Sequence, residues 1–284
     1  MPRTPTLIVA LALALTAGAA AAASAQDATD PQPPFPWPHG ARAAVALTYD
    51  DGLHTHLDHA APDLDAAGLH GTFYVPGSSQ ALATRMPEWR ALARRGHELG
   101  NHALFHPCLQ NPPGAGDRAW VSDDYALERY TTKRIRDEVA VMSTLLHALD
   151  GQSVRTFAYN CAETVAGGES YVDALRPLFV GARIGDDVIA EDVRGLDPFL
   201  VPSWAVENVS GAQMIAFVQK AVDAGGLAVF MFHGIGGEHI PVSREAHQQL
   251  LTWLASHRDL VWTDTFRSVM THVVETQGNT PQAR

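Results

Sequence analysis

The sequence predicts an α/β fold with a parallel sheet, open or closed into a barrel, and three observations carry that prediction. Apolar runs such as AAVALTY (43–49), HGTFYVPG (70–77) and LAVFMFHG (227–234) have the length and the β-branched or aromatic content of strands. They alternate with helical stretches such as GAQMIAFVQKAVDAG (211–225) and SREAHQQLLTWLASH (243–257), long enough for right-handed crossovers between parallel strands. The polar residues Asp50, Asp51, His102, Asn160 and His233 then fall at strand ends, where parallel α/β folds gather their chemistry.

In chain order, residues 1–25 read as a signal peptide. Arg3 precedes the apolar stretch LIVALALALTAGAA, and Ala23-Ser24-Ala25 offers a small-residue cleavage site. No basic stop-transfer cluster follows, so the expectation is a secreted or periplasmic protein that is not held in the membrane after cleavage. Residues 26–40 are an extended, proline-rich lead-in, and 41–275 are expected to form one domain. A strand at 43–49 leads to a helix at 56–68 that stops at Gly68, and a second strand follows at 70–75. A helix over 87–96, a short strand at 97–102 and a long loop at 107–123 come next. A helix over 124–149 precedes the strand VRTFAYN (154–160), the segment LFVGARI (178–184) and a mixed stretch ending in PSWAVEN (202–208). The last expected strand is LVWTDTF (260–266), and 276–284 read as a disordered tail.

With 31 acids against 20 Lys and Arg, the chain carries a net charge of −11 and has no basic cluster. That balance argues against nucleic acid and anionic membrane surfaces as partners. Cys108 and Cys161 are the two cysteines, either a disulfide in an oxidising compartment or two buried thiols.

The stretch TYDDG (48–52) sets two like charges at the end of an apolar strand. Asp and Gly are ordinary turn residues, but a turn there also lets both carboxylates reach one cavity. His102 and His106 are spaced i, i+4, which on a helical turn places both rings on one face. Two imidazoles and a carboxylate suit a zinc-type ion with open positions. His54, His56 and His59 follow the aspartates at a helix start, and solvated positions are expected for at least two of them.

TYDDG, GHELGNHALFHP (96–107) and MFHG (231–234), with HGTFYV (70–75), resemble the polysaccharide deacetylases, carbohydrate esterase family 4 with its NodB homology domain. The resemblance runs over about residues 42–270. It implies a distorted (β/α) barrel and a hydrolase that removes acetyl groups from a poly- or oligosaccharide, as N-acetyl amides or O-acetyl esters, with metal-activated water. Asp51, His102 and His106 resemble the family's metal ligands, Asp50 its general base and His233 its general acid. The cofactor implied is a divalent ion, zinc first, with cobalt or nickel as alternatives.

Two positions depart from the family pattern. Ala158, in TFAYNCAE (156–163), stands where an arginine usually braces the base, and Ser203-Trp204 stands where Asp-Trp usually orients the acid. Asn160 and Glu207 are the substitutes expected for those two charges. Tyr159, Asn160 and Trp204 are expected to touch substrate, and Trp120 is a further stacking candidate. The resemblance also places both cysteines on the active-site face, where a Cys108–Cys161 disulfide would pin the 107–123 loop. A non-catalytic carbohydrate-binding protein on the same fold, or a C–N hydrolase of a small amide, are the alternatives.

Overall fold

The computed structural model describes residues 1–2, 33–114 and 116–278; most of the expected leader and the chain beyond 278 lie outside them. Met1–Pro33 and Pro34–Arg284 are separate units, and the fold is that of the second. Strand β1 is Ala43–Asp50, followed by one π-helical turn at His56–Ala60 and helix α1, Ala61–Ala67. Next come β2 (Thr72–Val75), α2 (Gln80–Arg94), β3 (Glu98–Asn101), α3 (Thr132–Asp150) and β4 (Thr156–Ala158). A small hairpin, β5 (Val165–Ala166) and β6 (Glu169–Ser170), precedes α4 (Val172–Leu175) and β7 (Gly181–Arg183). The chain ends with β8 (Trp204–Ala205), α5 (Gly211–Ala224), β9 (Leu227–Phe232), α6 (Arg244–Ser256), β10 (Val261–Asp264) and α7 (Phe266–Gly278).

Apart from the hairpin and an isolated antiparallel bridge between Ala190 and Leu227, the strand pairings among the described residues are parallel, in the order β7-β4-β3-β2-β1-β9-β8. One edge of β1 is shared: Ala43–Ala46 pair with β10 and Thr48–Asp50 with β2, while β9 fills the other edge. The sheet curls so that β7 meets Val201, three residues before β8, which pairs in turn with β9. This is the distorted α/β barrel expected.

All eight residues of β1 are buried, and their side chains alternate between two cores. Ala43, Val45, Leu47 and Tyr49 face the outer helices. Ala44 and Ala46 face the interior with Tyr74, Ala158, Val201 and the apolar side of α7. Asp50 continues that even-numbered series, so the period of the strand aims its carboxylate into the barrel.

Several boundaries differ from expectation. Helix α2 starts seven residues early because Ser79 caps it, its Oγ accepting from Leu82 N at 3.0 Å, and Pro87 is accommodated inside it next to the non-helical Arg85. Helix α3 starts late, at the cap Thr131, because the preceding residues form 3-10 turns. Helix α7 was not expected, although Phe266, Val269, Met270 and Val273 recur at helical spacing and are buried; it takes in 276–278 of the expected tail. The lead-in is partly built into the domain. Phe35 and Trp37 are buried, and Trp37 Nε1 donates to Gly225 O at 3.0 Å.

Candidate active site

At the end of β1 the chain turns sharply. Asp51 has φ of 76°, the left-handed region that an L-residue enters at a cost of about 1–2 kcal/mol. Gly52, at φ of 58°, follows, and a Cβ there would meet Val75 at 2.8 Å. Ser79 holds this turn by donating to Gly52 O at 2.6 Å. The left-handed step brings Asp51, whose strand neighbour faces inward, to the same cavity as Asp50.

His102 and His106 converge on Asp51 without a helix, which corrects the expected helical turn. His102 directly follows β3, and Ala103 and His106 take positive φ values of 58° and 54° that fold the segment back. His102 Nδ1 donates to Ala158 O at 2.9 Å, which leaves Nε2 as a lone pair facing the cavity. The Nε2 atoms of His102 and His106 lie 3.4 and 3.1 Å from Asp51 Oδ1. That buried oxygen nevertheless has no hydrogen-bond partner among the described residues. A buried acceptor flanked by two ring nitrogens, all three within 4.8 Å of one another, fits a divalent cation held by two imidazoles and a carboxylate. Burial pushes the Asp51 carboxyl up, but His102, His106 and His239 more than offset it and hold it well below the usual range. Burial likewise opposes protonation of His106, and Asp51 overrides it to raise the pKa.

Asp50 is braced by a residue not anticipated from the sequence. Arg183, at the end of β7, is fully buried and donates from Nη2 to Asp50 Oδ1. Its register partner on β4 is Ala158, the position left without an arginine. Register partners in adjacent strands project to the same face, so the guanidinium reaches the interior from one strand over. Its carbon lies 4.9 Å from the Tyr74 ring, and Tyr74 is the register partner of Asp50. Burial raises the Asp50 pKa, but Arg183, helped by His102 and His233, offsets it and leaves the carboxyl below its ordinary value. Asn160 does not brace Asp50; its Nδ2 donates to His102 O at 3.1 Å.

His233 follows β9, with Nε2 3.9 Å from Asp51 Oδ2. Its Nδ1 is buried without a partner among the described residues, and Ser203 Oγ donates to Ile184 O instead. Glu207 is exposed and does not line the cleft, so it does not replace the missing acid. Burial lowers the His233 pKa, with Asp50 and Asp51 opposing it. What fixes His233 is its backbone. His56 accepts from Leu53 N at Nδ1, so its Nε2 carries the proton and donates to His233 O at 3.0 Å. His59 Nδ1 bonds Ile235 O at 2.6 Å. The expectation of solvated histidines is thereby corrected: His56 is fully buried, and His54 and His59 are only half-exposed.

The cleft above these groups is about 940 Å³, within the range of small-ligand sites. It is lined by Asp50, Asp51, His102, His106, Tyr159 and His233, and by Trp120, which is 67% exposed. Trp204 turns away, its ring 4.9 Å from Phe217 and 6.0 Å from Phe230, which corrects its assignment to substrate. Asn160 is likewise fully buried and outside the cleft lining. Cys108 and Cys161 form a disulfide, with Cys108 Sγ 3.6 Å from His106 Nδ1. It ties the start of the 107–123 loop to the segment after β4.

The family model for polysaccharide deacetylase matches residues 39–164, which include Asp50, Asp51, His102, His106 and both cysteines. Among curated protein sequences, none matches the chain. Solved structures with a similar fold include a Mycobacterium smegmatis protein assigned as a polysaccharide deacetylase. It is 18% identical with a TM-score of 0.62, and the alignment covers 90% of this chain and 98% of that one. The Xyl-CE4 domain of a multidomain xylanase from the hindgut metagenome of Trinervitermes trinervoides is 17% identical with a TM-score of 0.52, covering 85% and 94%. A family 4 acetyl xylan esterase from Clostridium thermocellum, in complex with a cobalt ion, is 20% identical with a TM-score of 0.51, covering 80% and 90%. Over residues 39–164 the chain is thus similar to the polysaccharide deacetylases, and it shares the curled barrel of these solved structures.

Proposed function

We propose that the protein is a divalent-metal-dependent hydrolase that removes acetyl groups from a poly- or oligosaccharide. The observation that carries this reading is the convergence of two carboxylates and three imidazoles on one cleft. They are split between a cation-binding set (Asp51, His102, His106) and two flanking proton-transfer groups (Asp50, His233). A zinc-type ion bound by that set would supply Lewis-acid polarisation of the acetyl carbonyl and lower the pKa of a water from about 15.7 toward about 7.

The chain's own groups supply the rest. Arg183 occupies Asp50 Oδ1, which leaves Oδ2, 3.9 Å from His102 Nε2, as the oxygen that takes the proton of the attacking water. His233 Nε2, on the Oδ2 side of Asp51, returns a proton to the departing amine or alkoxide. Trp120, exposed on the cleft lining, offers a flat apolar surface for a sugar ring. Similar structures named for xylan point to O-acetyl esters as one substrate class beside N-acetyl amides. The disulfide supports export to an oxidising compartment, periplasmic or extracellular.

The test is acetate release by zinc-, cobalt- or nickel-reconstituted protein, with matched ester and amide glycans and small amides. Release that needs Asp50 and His233 is expected. Glycan binding without acetate release would instead mark a binding protein, and release confined to small amides would mark a different C–N hydrolase.

A further inference from the structure

The two oxygens of Asp51 face two different histidine pairs. Oδ1 faces His102 and His106, while Oδ2 lies 2.7 Å from His239 Nε2 and 3.9 Å from His233 Nε2. Asp51, His233 and His239 each place one donor atom within 4.8 Å of the others, as the first set does. We propose that Asp51 bridges two cation positions, the second being a weaker, inhibitory site formed by Asp51 Oδ2, His233 Nε2 and His239 Nε2. This rests on the first position being the metal site of the proposed function.

His239 is half-exposed, yet its loop is built to hold it. The Glu238 carboxylate accepts from His54 N at 3.3 Å, Thr55 N at 2.8 Å and Thr55 Oγ1 at 2.6 Å. Gly234 N donates to His239 O at 3.1 Å, Gly236 N to Val242 O at 2.8 Å and Val242 N to Gly234 O at 3.0 Å, which closes the loop. Glu238 and Ile240, on either side of His239, take positive φ values of 63° and 46°. Such backbone persists where the surroundings over-determine it, often at ligand sites. Two imidazoles and one oxygen of a shared carboxylate select a borderline divalent cation such as zinc over magnesium or calcium. Carboxylate-bridged pairs of ions about 3.5–4 Å apart recur in hydrolases. Here the second ion would take the His233 lone pair, and His233 must carry a proton to act as the acid. Occupancy therefore removes the acid, and excess metal inhibits.

The experiment is calorimetric zinc titration of chelator-stripped full-length protein, with bound metal counted after dialysis. Two equivalents are expected, the second at least tenfold weaker. His239→Ala should lose the weaker step and keep the tight one, whereas His106→Ala should lose the tight one. Acetate release, where present, should rise and then fall with zinc in the parent. One equivalent in the parent, unchanged by His239→Ala, overturns the second site while leaving the proposed function intact. No bound zinc at all overturns both.

Discussion

Arg183 donates to Asp50 from the strand position that pairs with Ala158. A fully buried guanidinium beside a buried carboxylate is costly to break, because either partner alone remains charged and dry. Arg183→Met should destabilise the protein by about 3–5 kcal/mol in urea unfolding. It should also lower kcat by roughly a hundredfold, with KM and zinc affinity nearly unchanged. Because the two positions share a face, adding Ala158→Arg to Arg183→Ala should recover part of kcat. A swap that recovers stability but no kcat would show that Arg183 serves the core alone.

The two aspartates should separate cleanly. Asp51→Asn is expected to lose bound metal and acetate release together. Asp50→Asn should keep the metal and lose the turnover. Elemental analysis of each purified variant beside an acetate assay decides this, and metal loss confined to the Asp50 variant would reverse the roles.

Reducing the Cys108–Cys161 disulfide frees a 53-residue separation in the unfolded chain. The chain-entropy estimate for a loop of that size is a loss of about 4 kcal/mol. Zinc affinity should fall as well, since His106 Nδ1 rests against Cys108. The check is a Cys108→Ser/Cys161→Ser variant, by urea unfolding and zinc titration.

Burial holds His56 and His97 neutral in the fold, with pKa values lowered to about 4. In the unfolded chain a histidine titrates near 6.5. Each group's contribution is therefore complete above pH 6.5 and is lost as the pH falls toward 4, by about 3 kcal/mol per group. Unfolding free energies of metal-free protein at pH 7.5 and 4.5 should show the drop. His97→Gln should make that drop smaller.

Trp120 and Trp204 should behave differently. Trp120→Ala is expected to raise KM on glycans several-fold with kcat and stability unchanged. Trp204→Ala should cost about 3 kcal/mol of stability, since its ring packs against Phe217 and Phe230. Steady-state kinetics beside urea unfolding separates the two.

The barrel and the five central residues were legible because they obey local rules. Strand-length apolar runs alternated with crossover helices, and polar groups interrupted them at the strand ends. Arg183 obeyed the same rule within LFVGARI, but its meaning lay in register with Ala158 and in a contact 133 residues away. No local pattern encodes that pairing. His56 and His59 were misplaced for a related reason: as a helix start they read as solvated, and only the folded chain brings β9 and its following loop against them. Trp204 shows the opposite error. Its motif position suggested substrate, whereas the two-residue strand β8 turns its ring toward α5.

Burial of Phe35 and Trp37 fixes where the chain joins the barrel. Both rings sit at the N-terminal ends of β1 and β9, and His272 of α7 bonds Pro36 O at 2.9 Å. The described chain thus enters and leaves the domain at the pole opposite the cleft.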